Sequence, residues 1–492
     1  MGGKSAARLS GGLPARPSSA GTDRPARHRA ARAAAARLAV CAGLLGLAGC
    51  ATAPLVGPNV GRISSAQSPQ FLGAGGPLSS DEVGEQIAHL AGRPGEAALL
   101  RRHVEIEQAV ADGPLLTGGT IRLLPDGPTT LRAVFAAIRY AKRQIDLEYY
   151  IMEDVESDGT RLGDLLVAKR REGVDVNVIH DSIGSFRTPN GFFERLDRAG
   201  VNLLEYNPIN PFKARTRYSL NRRDHRKILV VDGALAIIGG VNLDPTDEAG
   251  PVSGSTDVCR RAGACARDAD IEISGPAVAP LQAMFFDQWR AQRGRPVEPL
   301  ITPPVTPPNG DAVVRIIGSS PVGAGPRYYL TLISQLRSAE KAVFIETAFF
   351  VPTRDELRAL KDAARRGVEV QIILPDHGAS RMATAVSRSR YGELLKCGVR
   401  IYETRDVDLH TKMMSIDGVW SALGSSNLDY RSVIFNDEVD AVVVGADTAR
   451  EFQFMFESDR AVARPVDLKT WRRRPAAARL MEFYARFWQV LL

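Results

Sequence analysis

The chain has 492 residues and a formal net charge of +7, from 63 Lys and Arg against 56 Asp and Glu. That excess is confined to residues 1–49, where eight basic side chains face the single acid Asp23. The remainder is near neutral, so the basic balance gives no support to nucleic-acid binding, and no Cys/His spacing marks a zinc site.

In chain order, residues 1–49 read as a lipoprotein signal peptide. Lys4, Arg8, Arg16, Arg24, Arg27, Arg29, Arg32 and Arg37 form its basic region, and Leu38–Gly49 its apolar run. That run is too short to span a bilayer. Leu47, Ala48 and Gly49 before Cys50 form a lipidation signal, with Cys50 as the lipidated first residue of the processed chain. Ala51, rather than Asp, favours the outer membrane over the inner. The expected location is the bacterial cell envelope, facing the periplasm and anchored by the lipidated N-terminus. Residues 50–80, rich in Ala, Gly, Pro and Ser, read as a flexible tether. Residues 81–112 read as helical and are expected to pack on the first of two similar halves. Those halves span 81–298 and 311–492, joined by a Pro-rich linker at 299–310.

The halves repeat one order of elements. Leu131–Lys142 is a predicted helix, Ile145–Tyr150 a strand, Gly159–Arg171 a helix and Gly173–Val178 a strand. The second half answers with a helix at Tyr329–Ala339, a strand at Ala342–Phe350, a helix at Glu356–Arg366 and a strand at Gly367–Leu374. Gly118–Gly127 reads as strand and turn. Nearly continuous apolar strands alternating with helices predict α/β architecture, with sheets covered on both faces. An insertion from Thr246 to about Ala266 carries Cys259 and Cys265, which suit a local disulfide in an oxidising compartment. Cys397 reads as a small core residue.

One motif occurs twice in register. His225, Lys227, Asp232 and Asn242 are matched by His410, Lys412, Asp417 and Asn427, and 410 − 225 and 427 − 242 both give 185. In a strand, residues two apart leave the same face, so each His shares a face with its Lys. Asp232 with Gly233 and Asp417 with Gly418 suit hairpin turns into a second apolar run. The Gly-rich end of that run brings each Asn to the same face. Two histidines suit a two-step displacement at phosphorus, one as nucleophile and the other as proton donor to the leaving oxygen. The Lys ammonium groups and Asn amides suit the charge on the non-bridging oxygens. For the Asp residues, a purely turn-forming role stands beside a role in the motif. Past the insertion, Asp268 matches Glu438, each a carboxylate able to orient a histidine.

These residues closely resemble the paired motifs of the phospholipase D superfamily. Asn221–Lys227 (NRRDHRK), Phe350–Pro352 (FVP), Gly424–Ser432 (GSSNLDYRS) and Asn436–Glu438 (NDE) narrow the resemblance to its cardiolipin synthase branch. The resemblance covers about Gly118 to Leu492. It implies two pseudo-symmetric phospholipase D-like halves, each a mixed sheet flanked by helices, with the active site at their junction. It also implies a phosphatidyltransferase acting on phosphatidylglycerol through a phosphatidyl-histidine. His225, Lys227, Asp232, His410, Lys412 and Asp417 would be catalytic, Asn242 and Asn427 substrate-binding, Asp268 and Glu438 supporting. No metal or cofactor is expected, because Lys and Asn supply the electrophilic help a metal would give. The expected partners are anionic membrane phospholipids, phosphatidylglycerol or cardiolipin, and no nucleic acid. Hydrolysis, with water as acceptor, is the alternative reaction. His180, His377, the basic run Lys213, Arg215, Arg217, Arg222 and Arg223, and the apolar end Leu480–Leu492 are weaker candidates, each also readable as ordinary surface or packing.

Overall fold

The computed structural model describes residues 69–110, 113–216, 218–248, 265–297, 310–322, 325–378, 380–405 and 407–492. The described residues all belong to one compact unit. The predicted leader, Cys50, Cys259 and residues 299–309 of the linker lie outside the described residues. Cys265 takes part in a disulfide, and Cys397 is free.

Two mixed sheets form the centre. The first orders Ile121–Leu124, Asp270–Ser274, Leu235–Gly239, Lys227–Val231, Gln144–Tyr149, Asp175–Asp181 and Asn202–Tyr206. The second repeats this with Asn436–Val444, Trp420–Gly424, Lys412–Ile416, Ala342–Thr347, Glu369–Pro375 and Arg400–Thr404. In both, Lys227–Val231 and its counterpart Lys412–Ile416 run antiparallel to both neighbours, and the strands beyond continue parallel. The predicted repeat is therefore the structural one.

Strand alternation explains why the halves stay together. Ile228 and Val230 face a core shared with Met413, Leu423, Val439 and Val443 of the second half. Leu229 and Val231, on the opposite face, pack with Val134, Phe135 and Ile138 of the helix Gly127–Tyr140. Both faces of each central strand are thus dry, as the unbroken apolar runs require. Asp126 caps that helix, accepting from the Thr129 amide at 2.7 Å. In the second half the helix Arg354–Arg365, the counterpart of Leu162–Arg171, starts with a Thr353/Glu356 capping box.

The N-terminal segment departs from expectation. Helices Ser80–Ala91 and Ala97–Val110 pack on the second half, not the first: Val83, Ile87, Leu100 and Val104 join Val313, Leu332, Leu336 and Trp420 in one core. The predicted tether is ordered at its end, where Phe71–Gly73 pairs with Leu115 and Leu116. Edge pairing is the cause. Leu115–Gly119 adds to the open edge of Ala312–Ser319, while Ile121–Leu124 joins the first sheet. The single predicted strand around Gly118 is thus two strands in two sheets, and Gly118 takes the positive φ (94°) where they part.

Candidate active site

Two short crossings between the halves build the site. Arg223–Asp224 pairs in parallel with Asn436–Asp437, and Ala266–Arg267 with Asp408–Leu409. The His225 amide donates to the Asp437 carbonyl at 2.9 Å, and the His410 amide to that of Arg267 at 2.8 Å. Each pairing sets the following acid against the ring. His225 Nδ1 lies 3.0 Å from Glu438 Oε2, and His410 Nδ1 lies 2.5 Å from Asp268 Oδ2. Each half therefore supplies the carboxylate for the other half's histidine. An ionised carboxylate only accepts, so Nδ1 carries the proton and Nε2 keeps its lone pair.

The carboxylates are buried and held by donors. Glu438 accepts from Ser425 Oγ at 2.5 Å, Ser432 Oγ at 2.9 Å and Asn436 Nδ2 at 3.1 Å. Burial alone would raise its pKa, but the combined pull of His225, Lys227 and Ser425 brings it down to about 2. Burial likewise opposes ionisation of Asp268, and Lys412 and His410 together outweigh it, so its pKa is lowered. Gly240 makes room for Asp268: a Cβ there would lie 2.2 Å from Oδ1. The second half has Ser425 at the matching position, and its hydroxyl becomes one of the Glu438 donors.

Lys227 and Lys412 are 0% and 4% exposed. Lys227 Nζ donates to the His225 carbonyl at 2.7 Å, and Lys412 Nζ to that of His410. Burial, reinforced by Lys412, pushes Lys227 down to about 7. Burial also lowers Lys412, and burial lowers both histidines, His225 to about 4. At neutral pH both imidazoles are thus uncharged and Lys227 is only partly charged, so an anionic phosphodiester, by favouring the ammonium forms, suits the site.

His225, His410, Asn242 and Asn427 all line one cavity of about 400 Å³. Asn242 Oδ1 accepts from the Ile151 amide at 3.3 Å, and Asn427 Oδ1 from that of Phe349 at 3.4 Å. Their carboxamide oxygens are engaged, which leaves the NH₂ groups as donors for a ligand.

Asp232 and Asp417 do not join them, which corrects their inclusion in the catalytic set. Each ends the strand that its Lys begins, roughly 16 Å away along five residues. Asp232 accepts from the amides of Lys142, Arg143 and Gln144 at 2.7–2.9 Å. Asp417 accepts from those of Glu340, Lys341 and Ala342, and from His103 Nε2 at 3.0 Å. Both adopt positive φ, 54° and 56°, as turn residues. Asp232→Ala is expected to cost about 1–3 kcal/mol of stability, because three amides lose their acceptor. Asp417→Ala should cost more, since buried His103 also loses its partner. Thermal unfolding measures both, and kcat should stay near wild type.

Of the weaker candidates, Arg223, Leu491 and Leu492 line the cavity, and His180 and His377 do not; Arg217 lies outside the described residues. His180 is buried and stacked on Phe193 at 4.0 Å, and exposed His377 pairs with Asp376 at 2.6 Å. Arg223 is buried against Asp181 at 3.3 Å, and Arg222 meets Asp437 at 3.1 Å, so these two brace the crossing. Sequence reasoning missed Tyr150, which also lines the cavity. Its ring meets His225 edge-on at 5.1 Å, and Lys227 Nζ lies 5.3 Å from its centroid. Its signal was its place, an aromatic residue closing the strand that pairs with Lys227. Arg431, another lining residue, stood unassigned within the Gly424–Ser432 stretch.

Two similar halves that bring paired histidines to one cavity define a phospholipase D-like site. A family model described as "Cardiolipin synthase, PLD-like domain" matches residues 134–248 and 332–460. A cardiolipin synthase of Geobacillus sp. is 31% identical over 395 residues, covering 79% of this chain and 76% of its own. Cardiolipin synthase A of Pseudomonas fluorescens is 34% identical over 359 residues, covering 72% and 71%. Among solved structures, the phosphatidylserine synthase of Haemophilus influenzae matches with a TM-score of 0.59 at 15% identity, over 80% of this chain and 100% of that one. The chain belongs to the cardiolipin synthase family of phospholipase D-like phosphatidyltransferases.

Proposed function

We propose that the chain makes cardiolipin and glycerol from two molecules of phosphatidylglycerol through a covalent phosphatidyl-histidine. The observation that carries this is the pair of imidazoles in one cavity, each with Nδ1 on a carboxylate of the other half. His225 Nε2 attacks phosphorus, and the P–O bond to glycerol breaks as His410, protonated to the imidazolium that Asp268 and the bound anionic phosphodiester favour, gives its Nε2 proton to the departing oxygen. His410 then takes the proton of the acceptor's hydroxyl, that oxygen attacks phosphorus, and the P–N bond breaks to free His225. Lys227, Lys412, Asn242 and Asn427 bind the non-bridging oxygens in both steps. Purified protein given phosphatidylglycerol should yield cardiolipin and glycerol in equal amounts. Phosphatidic acid as the sole lipid product would instead establish hydrolysis.

Two further expectations follow from this reading. kcat/KM reports the free enzyme, so it should rise through pH about 4 as His225 loses its proton. It should fall on the alkaline side as His410, whose pKa burial lowers, gives up the proton that it must donate, and as Lys227 loses its charge through about 7. Lys227→Arg should remove the part of that limb that Lys227 sets, because guanidinium stays charged; an unmoved limb would assign it to His410. Anchoring through Cys50 in the cell envelope, on the outer membrane, is also part of this proposal. It predicts a diacylated N-terminal peptide, seen by mass spectrometry and lost in Cys50→Ala.

A further inference from the structure

The cavity, at about 400 Å³, suits a phosphodiester headgroup and is too small for the acyl chains as well. A phospholipid must then reach the histidines with its chains still in the bilayer. Some surface at the cavity rim has to meet the membrane. The C-terminal end supplies part of that rim, because Leu491 and Leu492 line the cavity together with His225 and His410.

The helix Ala476–Ala485 and the 3₁₀ turn Arg486–Leu491 form this end. One side is firmly attached. Ala485, Val490 and Leu492 pack with Val351, Val386 and Tyr430, Arg474 pairs with Glu482 at 2.5 Å, and Arg390 donates to Gln489 Oε1 at 2.7 Å. The other side faces outward with Leu480 70%, Met481 55%, Phe483 60%, Tyr484 50% and Phe487 57% exposed. Phe483 and Phe487 touch only edge to face, at 5.3 Å. The same stretch of chain exposes Lys469, Arg472, Arg473, Arg479 and Arg486, whereas the only acids of residues 466–492 are Asp467 and the paired Glu482. Exposed aromatic and aliphatic side chains in a stretch rich in exposed cations are the chemistry of a helix lying in an anionic membrane interface. No described helix is long and apolar enough to cross a membrane, so contact here is interfacial.

We infer that residues 476–492 are a docking surface for an anionic bilayer that holds the mouth of the cavity against the lipid headgroups. The inference rests on the lipid substrate proposed above, and its test separates the two. The full chain is compared with Phe483→Ser/Phe487→Ser and with Arg479→Glu/Arg486→Glu, all in a Cys50→Ala background so that no acyl anchor contributes. Co-sedimentation uses vesicles of equal phosphatidylglycerol and phosphatidylcholine, and turnover uses those vesicles and monomeric dihexanoyl phosphatidylglycerol. Both double variants should bind vesicles at least about tenfold more weakly, lose vesicle turnover in proportion, and keep wild-type turnover of the monomeric lipid. Unchanged binding would overturn the inference. So would equal loss on both substrates, which makes the segment a cavity wall only, or a shift from dimer to monomer in sedimentation velocity, which makes it a contact between copies. A parent chain that binds vesicles through this patch but turns over neither lipid would refute the proposed reaction and leave the docking surface standing.

Discussion

His225→Ala and His410→Ala are each expected to abolish phosphatidyl transfer and leave thermal unfolding near that of wild type. Each removes a step that nothing else in the cavity performs. Lys227 and Lys412 each give one N–H to the His225 and His410 carbonyls and keep the others for the phosphate oxygens, and Tyr150 is pushed upward by burial and a nearby carboxylate, Asp181, so it stays protonated. Neither imidazole is needed for packing, since the strands that follow are held by apolar cores on both faces. The two variants should differ in kind. With a substrate whose leaving group departs as a stable anion, His410→Ala should still form the covalent intermediate, and His225→Ala should not. Turnover of ordinary lipid by either variant would contradict the two-histidine mechanism.

The second large effect is expected at the crossed carboxylates, which position the histidines without touching substrate. Glu438→Gln leaves the side chain's shape but lets the carboxamide NH₂ face His225 Nδ1, favouring the tautomer with the proton on Nε2. The same change of acceptor follows at His410 in Asp268→Asn. A loss of about 10³–10⁴ in kcat is the scale seen when a carboxylate orienting a catalytic imidazole is neutralised. KM should change little. The crossing makes this test specific: Glu438→Gln, in the second half, should impair attack by the first-half histidine. Asp268→Asn, in the first half, should impair proton transfer by the second-half one. Substrates with a good leaving group should therefore rescue the first step in Asp268→Asn and not in Glu438→Gln. The reverse pattern would exchange the roles of the two histidines.

Much of this was legible in the residue pattern, for physical reasons. The repeat of His225 and Lys227 at His410 and Lys412 survives in sequence because period-two geometry ties each pair to one strand face. Asp268 and Glu438 could be matched because the stretches they open, Asp268–Gly275 and Glu438–Gly445, align residue for residue. Which histidine each acid serves was not legible. That depends on the crossings of Arg223–Asp224 and Ala266–Arg267 between halves, and a two-residue strand carries no periodicity. Asp232 and Asp417 misled because a repeated residue at fixed spacing reads the same whether a turn or a reaction requires it. Their saturated amide contacts decide the matter. The N-terminal helices were assigned to the wrong half because chain order is a weak guide when an open sheet edge lies closer in space. That edge beside Ala312–Ser319 exists only once the second sheet is formed.

The central claim, a phosphatidyl group carried on His225, is tested most directly by quenching the enzyme in alkali during turnover of phosphatidylglycerol. A phosphorus–histidine bond survives base better than acid, so mass spectrometry of the peptides can locate it. The account predicts a phosphatidyl adduct on the peptide containing His225, accumulating in His410→Ala when the leaving group needs no proton. Turnover to cardiolipin with no adduct on either histidine peptide would contradict it.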